Sequence, residues 1–414
     1  MPIMTLRFGD PRLAAGLWIG LIYGTVPFVR TVREAFIARW PAALIAYAVI
    51  AFVLGSIVAS IVILRRRQPP IGSADLLWLI GVAAVVAIWT YNLMGQPEEA
   101  VHFLEYGVLG VLLYRVFEDR VPDPTVYVAA TLAGLLVGTV DEIIQWLVPG
   151  RFWDFRDIIL NTGAVALVQI VIWRLLKRPS RTVSRSSLRL VCRLAAAQVF
   201  LLTLCMAATP QRLNRIADHV PLPDRLATGV DVICEYGFRH SVNDRTVFRS
   251  RLSSAEILRS DRDRAPEVAR DFDASRGRGG FAKQNMTPVR DPFSYEFRIH
   301  LFARNRNMQK AQAREPGSPD RRRHMTTAWR ENLILETFFG NTLEHSTSRW
   351  ESSRKIEVEA AQDPDEPFLS RVGAHLITAV SEGQLRTLLL ALFTALVVCD
   401  VFGATRSRPG SQPE

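Results

Sequence analysis

Between His102 and Asn161 the chain carries side chains that can move protons, ligate a cation or grip an anion: His102, Glu105, Asp141, Glu142, Gln145, Arg151, Asp154, Asp157 and Asn161. On a helix, residues three or four apart share a face, which pairs His102 with Glu105, Asp141 with Gln145, and Asp157 with Asn161. A carboxylate and an imidazole held together can share proton transfer. Asp141, Glu142, Glu105 and His102 are also a ligand set suited to a divalent metal such as Mn, Fe or Zn. Arg151, with Asp154 and Arg156 beside it, can fork onto a phosphate or carboxylate. A purely structural account stands beside these. Gln145 and Asn161 can hydrogen-bond helices together, and Arg151 with Asp154 can form an interfacial ion pair of little energetic weight.

The elements that must hold these groups are apolar. Hydrophobic residues make up 49% of the 414 residues and are blocked into long runs. The runs are Leu13–Val29, Ala42–Leu64, Ala74–Met94, His102–Phe117, Thr125–Val148, Ile158–Leu176, Leu188–Ala208 and Leu385–Phe402. Most reach the roughly 20 residues that a helix needs to cross about 30 Å of hydrocarbon; the first and fourth are marginal. The pattern predicts an all-α multi-pass membrane bundle of about eight helices. Ionisable groups are costly at membrane depth, so the adjacent Asp141 and Glu142 mark a site rather than glue. The first run has no clear small-residue cleavage site and is expected to remain as a helix.

The net charge of +10 is not spread as on a nucleic-acid-binding protein. Arg65, Arg66 and Arg67 follow one apolar run. Arg174, Lys177, Arg178, Arg181, Arg185, Arg189 and Arg193 sit around the junction of two others. Cytoplasmic loops are enriched in such residues. A cytoplasmic N-terminus places these clusters inside, together with Arg115, Arg120, Arg406 and Arg408. The loop with Arg30, Arg33 and Arg39 is the discordant one. Both termini are then cytoplasmic, and the polar region from about Thr209 to Gly383 is external. The polar ends of the fourth, fifth and sixth helices converge at the outer leaflet. The four cysteines, Cys192, Cys205, Cys234 and Cys399, form no CxxC motif and no readable disulfide framework.

The succession HFLEYGVLG, DEIIQ, VPGR, then Asp157 and Asn161 ahead of a glycine-containing apolar helix, resembles the VanZ-like family of bacterial membrane proteins over about residues 75–178. The family pattern falls on His102 and Tyr106, on Asp141, Glu142 and Gln145, on Pro149, Gly150 and Arg151, and on Asp157 and Asn161. The resemblance implies an integral membrane protein, linked in the founding members to glycopeptide antibiotic tolerance. It supplies no reaction, and it adds Tyr106 to the candidate residues.

The domain reading that follows has a membrane hairpin at 1–72, a VanZ-like core at 73–178 and a seventh helix at 179–208. An inserted external α+β domain at 209–383 precedes a last helix and tail at 384–414. Inside the external region, alternation from Phe293 to Leu301 predicts a strand and the spacing through Arg330–His345 a helix. Arg259–Asp273 and Ala274–Gly280 read as a linker, and Pro316–Pro319 with Arg321–Arg323 as a loop. His300, Glu336 and His345 read as surface residues. Three functions compete. One is an outward-facing site in the bacterial inner membrane that binds, and in one form processes, a lipid-linked or anionic envelope compound. In it Arg151, Tyr106, Gln145, Asp154, Asp157 and Asn161 hold the ligand, and His102, Glu105, Asp141 and Glu142 do the chemistry. Another is a non-enzymatic scaffold or receptor acting through the external domain, and the third a proton-coupled transporter. Membrane lipids are the expected partners and nucleic acid is not.

Overall fold

The computed structural model describes residues 9–41, 72–92, 97–149, 151–176, 182–222, 232–275 and 287–405, with isolated positions at 44, 47–48, 50–51, 55 and 226. The predicted run Ala42–Leu64, the triplet Arg65–Arg67 and the segment 276–280 lie outside the described residues, apart from those isolated positions. The chain is mostly helical. It separates into two compact units, one of residues 1–204 with 387–414 and one of residues 205–386.

In the first unit the helices are α1 (Pro11–Thr25), α2 (Val29–Ile37), α3 (Ser73–Asn92), α4 (Pro97–Phe117), α5 (Thr125–Leu147) and α6 (Phe155–Leu176), then α7 (Arg185–Ala207) and the C-terminal α14 (Glu382–Thr405). Among the described residues, four helices are long and apolar enough to cross a membrane: α5, α6 over Phe155–Arg174, α7, and α14 over Glu382–Phe402. A fifth counts if α1 and α2 form one bent span. Leu13–Val29 is therefore not one straight helix. The chain turns by 66° between Thr25 and Val29, at Pro27, whose ring lacks an N–H and clashes with the preceding turn.

The core of this unit joins α1, α4, α5 and α6 through Ile22, Phe103, Tyr106, Leu109, Leu113, Ala130, Leu160, Ala164 and Val165. Glycines let these helices approach. A Cβ on Gly134 would stand 2.7 Å from Val165 Cγ2, and one on Gly138 would stand 3.2 Å from Asn161 Cβ. Buried amides add cross-links: Gln169 donates to the Gly110 carbonyl at 2.8 Å and Gln198 to Thr139 at 2.9 Å. Leu13, Leu17, Ile159, Phe200, Leu388 and Leu390 leave their side chains exposed on the outer faces, as lipid-facing positions would. At the end of α5 remote from Gln145, Asp123 accepts from Thr125 and from the Ser184 backbone at 2.9 Å. Burial alone would raise the Asp123 pKa; hydrogen bonds from Ser187, Thr125 and Ser184 outweigh it and hold it down to about 2.

The second unit contains α8 (Pro210–Ala217), β1 (Phe238–Asn243), β2 (Thr246–Ser250), α9 (Ser254–Ser275), α10 (Pro292–Gln312), α11 (Pro319–Phe338), α12 (Gly340–His345), α13 (Ser352–Ala361) and β3 (Phe368–Leu369). The strands form one small sheet in the order β1-β2-β3, antiparallel then parallel. Phe248, Phe293, Phe297, Leu301, Ile334, Leu335, Phe338 and Phe339 fill its core.

Four sequence expectations differ from the structure. Phe293–Leu301 is helix, not strand. Asp291 caps it through the Ser294 amide, Pro292 opens it, and the buried residues recur as Phe293, Phe297, His300, Arg304, Met308 and Ala311. Arg259–Asp273 is no linker but the body of α9, which buries Ile257, Asp261, Ala265 and Val268 on one face. His300 is not on the surface: it is fully buried, its Nδ1 2.6 Å from Glu331 Oε2. Pro316–Ser318 is a loop as read, with Gly317 at φ 80°, but Arg321–Arg323 lie in α11, which Ser318 caps.

Candidate functional site

The loop between α5 and α6 builds the site. Val148 ends α5 in an extended conformation ahead of Pro149, which cannot continue a helix. Asp154 then accepts the Arg156 amide at 2.8 Å and starts α6. Its own amide donates to Glu142 Oε2 at 3.0 Å, while Gln145 donates to Glu142 Oε1 at 2.8 Å. Both carboxyl oxygens of the fully buried Glu142 are thus engaged in holding the loop against α5. Gly150 lies outside the described residues.

Asp141 stands one residue earlier. Its Oδ2 accepts from the Tyr106 hydroxyl at 3.2 Å and from Gln145 at 3.3 Å, whereas its buried Oδ1 has no hydrogen-bond partner. Gln145 turns its carbonyl to Arg151 Nη2. That is the one side-chain hydrogen bond of the Arg151 guanidinium among the described residues, and its acceptor is a neutral amide. On α4, His102 Nδ1 lies 3.7 Å from Glu105 Oε2. Trp18 donates to the Glu105 carbonyl at 2.9 Å and Tyr23 to the Val137 carbonyl at 3.0 Å, which seats α1 against α4 and α5.

Part of this network lines a cavity of about 620 Å³, within the size range of small-molecule sites. His102, Glu105, Asp141, Gln145, Arg151, Asp154 and Asp157 line its polar side. Ile22, Val26, Phe28, Val29, Val32 and Phe36 add apolar lining from α1, α2 and the turn between them. Of the sequence candidates, Tyr106, Glu142 and Asn161 do not line it. Tyr106 and Glu142 act behind it, as described, and Asn161 is fully buried beside Gly138 with neither amide atom hydrogen-bonded. Among the described residues no three His, Cys, Asp or Glu side chains are grouped to hold a metal ion, so the geometry does not favour a metal site at His102, Glu105, Asp141 and Glu142.

Sequence reasoning missed the contribution of α1 and α2. Arg33 lines the same cavity, although in the sequence it stood only as a charge on the discordant loop. An arginine set in the apolar spacing of Val29, Val32 and Phe36 was the available signal.

An apolar helix bundle of membrane-crossing length, with a cavity lined by both polar and apolar side chains, is the class of protein these features define. Residues 43–177 match the family model VanZ/LLP1. This region is therefore VanZ-like, and the match begins well before residue 75, the start read from the motifs. Comparison with curated proteins and comparison with solved structures each returned no match. The VanZ-like region and the apolar helices together mark a membrane protein.

Proposed function

We propose that the cavity binds an anionic, lipid-linked compound of the cell envelope. The observation that carries this reading is Arg151, a cation at the cavity wall whose guanidinium, among the described residues, hydrogen-bonds to the neutral Gln145 amide and to no carboxylate. An arginine presents five donors in a fixed fork, a geometry that suits a phosphate or carboxylate oxygen entering the cavity. Asp141 keeps one oxygen without a protein partner, and His102 and Glu105 stand on the same wall. In a processing form of the reading, Asp141 accepts a proton and His102 with Glu105 relays it.

The setting belongs to the same proposal: a bacterial inner membrane, about eight spans, both termini cytoplasmic, residues 209–383 external, and the cavity at the outer leaflet. A role in glycopeptide tolerance follows from the founding members of the VanZ-like family. The test expresses Asp141→Asn and Glu142→Gln variants in a host that depends on this protein for tolerance, with insertion verified. Both variants are expected to lose the phenotype; full tolerance in both sinks the reading. Residues 205–386 form a compact unit with a core of their own, which favours one second reading, a receptor acting through that unit. Deleting residues 211–382 while keeping the helices separates the two, because only the receptor needs the deleted part.

A further inference from the structure

We infer that Arg33 and Arg151 together clamp the phosphate of a lipid whose headgroup also carries hydroxyls, with its hydrocarbon chain lying along α1 and α2; this rests on the binding reading above. Arg33 lines the cavity with Arg151, yet it comes from a different element, the helix beyond the 66° bend at Pro27. Arg30, one turn away on α2, is exposed, forms an ion pair with Glu34 at 2.9 Å and does not line the cavity.

The rest of the lining fits the same molecule. Val26, Phe28, Val29, Val32 and Phe36, from α2 and the turn before it, line the cavity with Arg33, apolar surface that a free phosphate would leave unused and an acyl or prenyl chain would cover. The carboxylates are placed for donors. Glu105, Asp141, Asp154 and Asp157 also line the cavity, and a bare anion would meet four acids besides the two arginines. A phosphate diester bearing hydroxyls brings negative charge to the arginines and O–H donors to the carboxylates.

The full-length protein in nanodiscs of phosphatidylcholine containing phosphatidylglycerol supplies the test, with retained lipid read by native mass spectrometry. The wild type is expected to enrich phosphatidylglycerol over phosphatidylcholine. Arg33→Gln and Arg151→Gln should each cut that enrichment about tenfold, the scale of one lost charged hydrogen bond. Arg33→Lys should keep part of it, and Arg30→Gln all of it. Enrichment unchanged in Arg33→Gln but lost in Arg151→Gln overturns the two-arginine clamp and leaves the binding reading standing. Enrichment unchanged in both overturns both. If inorganic phosphate displaces the lipid at equal concentration, the hydrocarbon wall contributes nothing and the lipid part of the inference falls.

Discussion

At the scale of single residues, neighbouring groups of the same type have separate tasks. Asp141 and Glu142 are adjacent in sequence, but Glu142 spends both oxygens on Gln145 and the Asp154 amide, whereas Asp141 lines the cavity and keeps one buried oxygen without a hydrogen-bond partner. The sequence pointed to both and had no means of dividing them, because the division depends on where the 148–154 loop returns. Asp123 is the clearest titratable group outside the spans. Its carboxyl sits at about 2, below its ordinary value of 3.8. A depressed carboxylate contributes stability that is present above the unfolded pKa and is lost as pH falls through the folded one. Asp123→Asn is therefore expected to lower the thermal midpoint of the detergent-solubilised protein at pH 7, by roughly 1 kcal/mol of stability. The gap to wild type should close between about pH 4 and pH 2. A gap that stays constant over that interval removes the assignment.

At the scale of elements, apolar length was the reliable signal. α5, α6, α7 and α14 fall where the hydrophobic runs placed them, because a lipid-facing helix must be apolar along its whole length. Polar elements were misread for a physical reason. In α10 the helical repeat includes His300 and Arg304, which are buried through Glu331, Asn332 and the Ser348 carbonyl. Without those partners in view, only the alternating aromatics stood out, and they imitate a strand. The Asp291-Pro292 start was the legible counter-signal. In α9 the density of charge concealed one buried face. The α1–α2 bend went unread, because apolar content makes Leu13–Val29 one run although Pro27 lies within it. Close helix approach gives the element-scale prediction. Gly134 has no room for a side chain against Val165, so Gly134→Leu should cost about 1–3 kcal/mol by overpacking. Gly16→Leu on α1, where a Cβ would meet nothing within 4 Å, should leave the melting temperature unchanged. Equal effects from the two substitutions contradict the packing account.

At the scale of the whole molecule, the chain divides its chemistry between a membrane unit and a polar unit. The polar unit is held by paired buried charges: Arg251 bonds Glu235 at 2.6 and 2.9 Å and lies against Tyr295. Burial alone would raise the Glu235 carboxyl, but the His375 hydrogen bond and the Arg251 charge pull it below its usual range. Such pairs specify one packing and point to no ligand. In the membrane unit, Asp141 and His102 each keep a buried side-chain atom without a hydrogen-bond partner and also line the cavity of about 620 Å³. In the proposed complex this cavity holds an anionic envelope lipid, its phosphate on Arg151 and a headgroup hydroxyl donating to Asp141. The most direct measurement is the lipid content of the purified full-length protein, wild type against Asp141→Asn, by mass spectrometry after identical extraction. An anionic lipid species at near-stoichiometric amount in the wild type, and several-fold depleted in the variant, is the predicted result. Identical lipid profiles in the two proteins would contradict it.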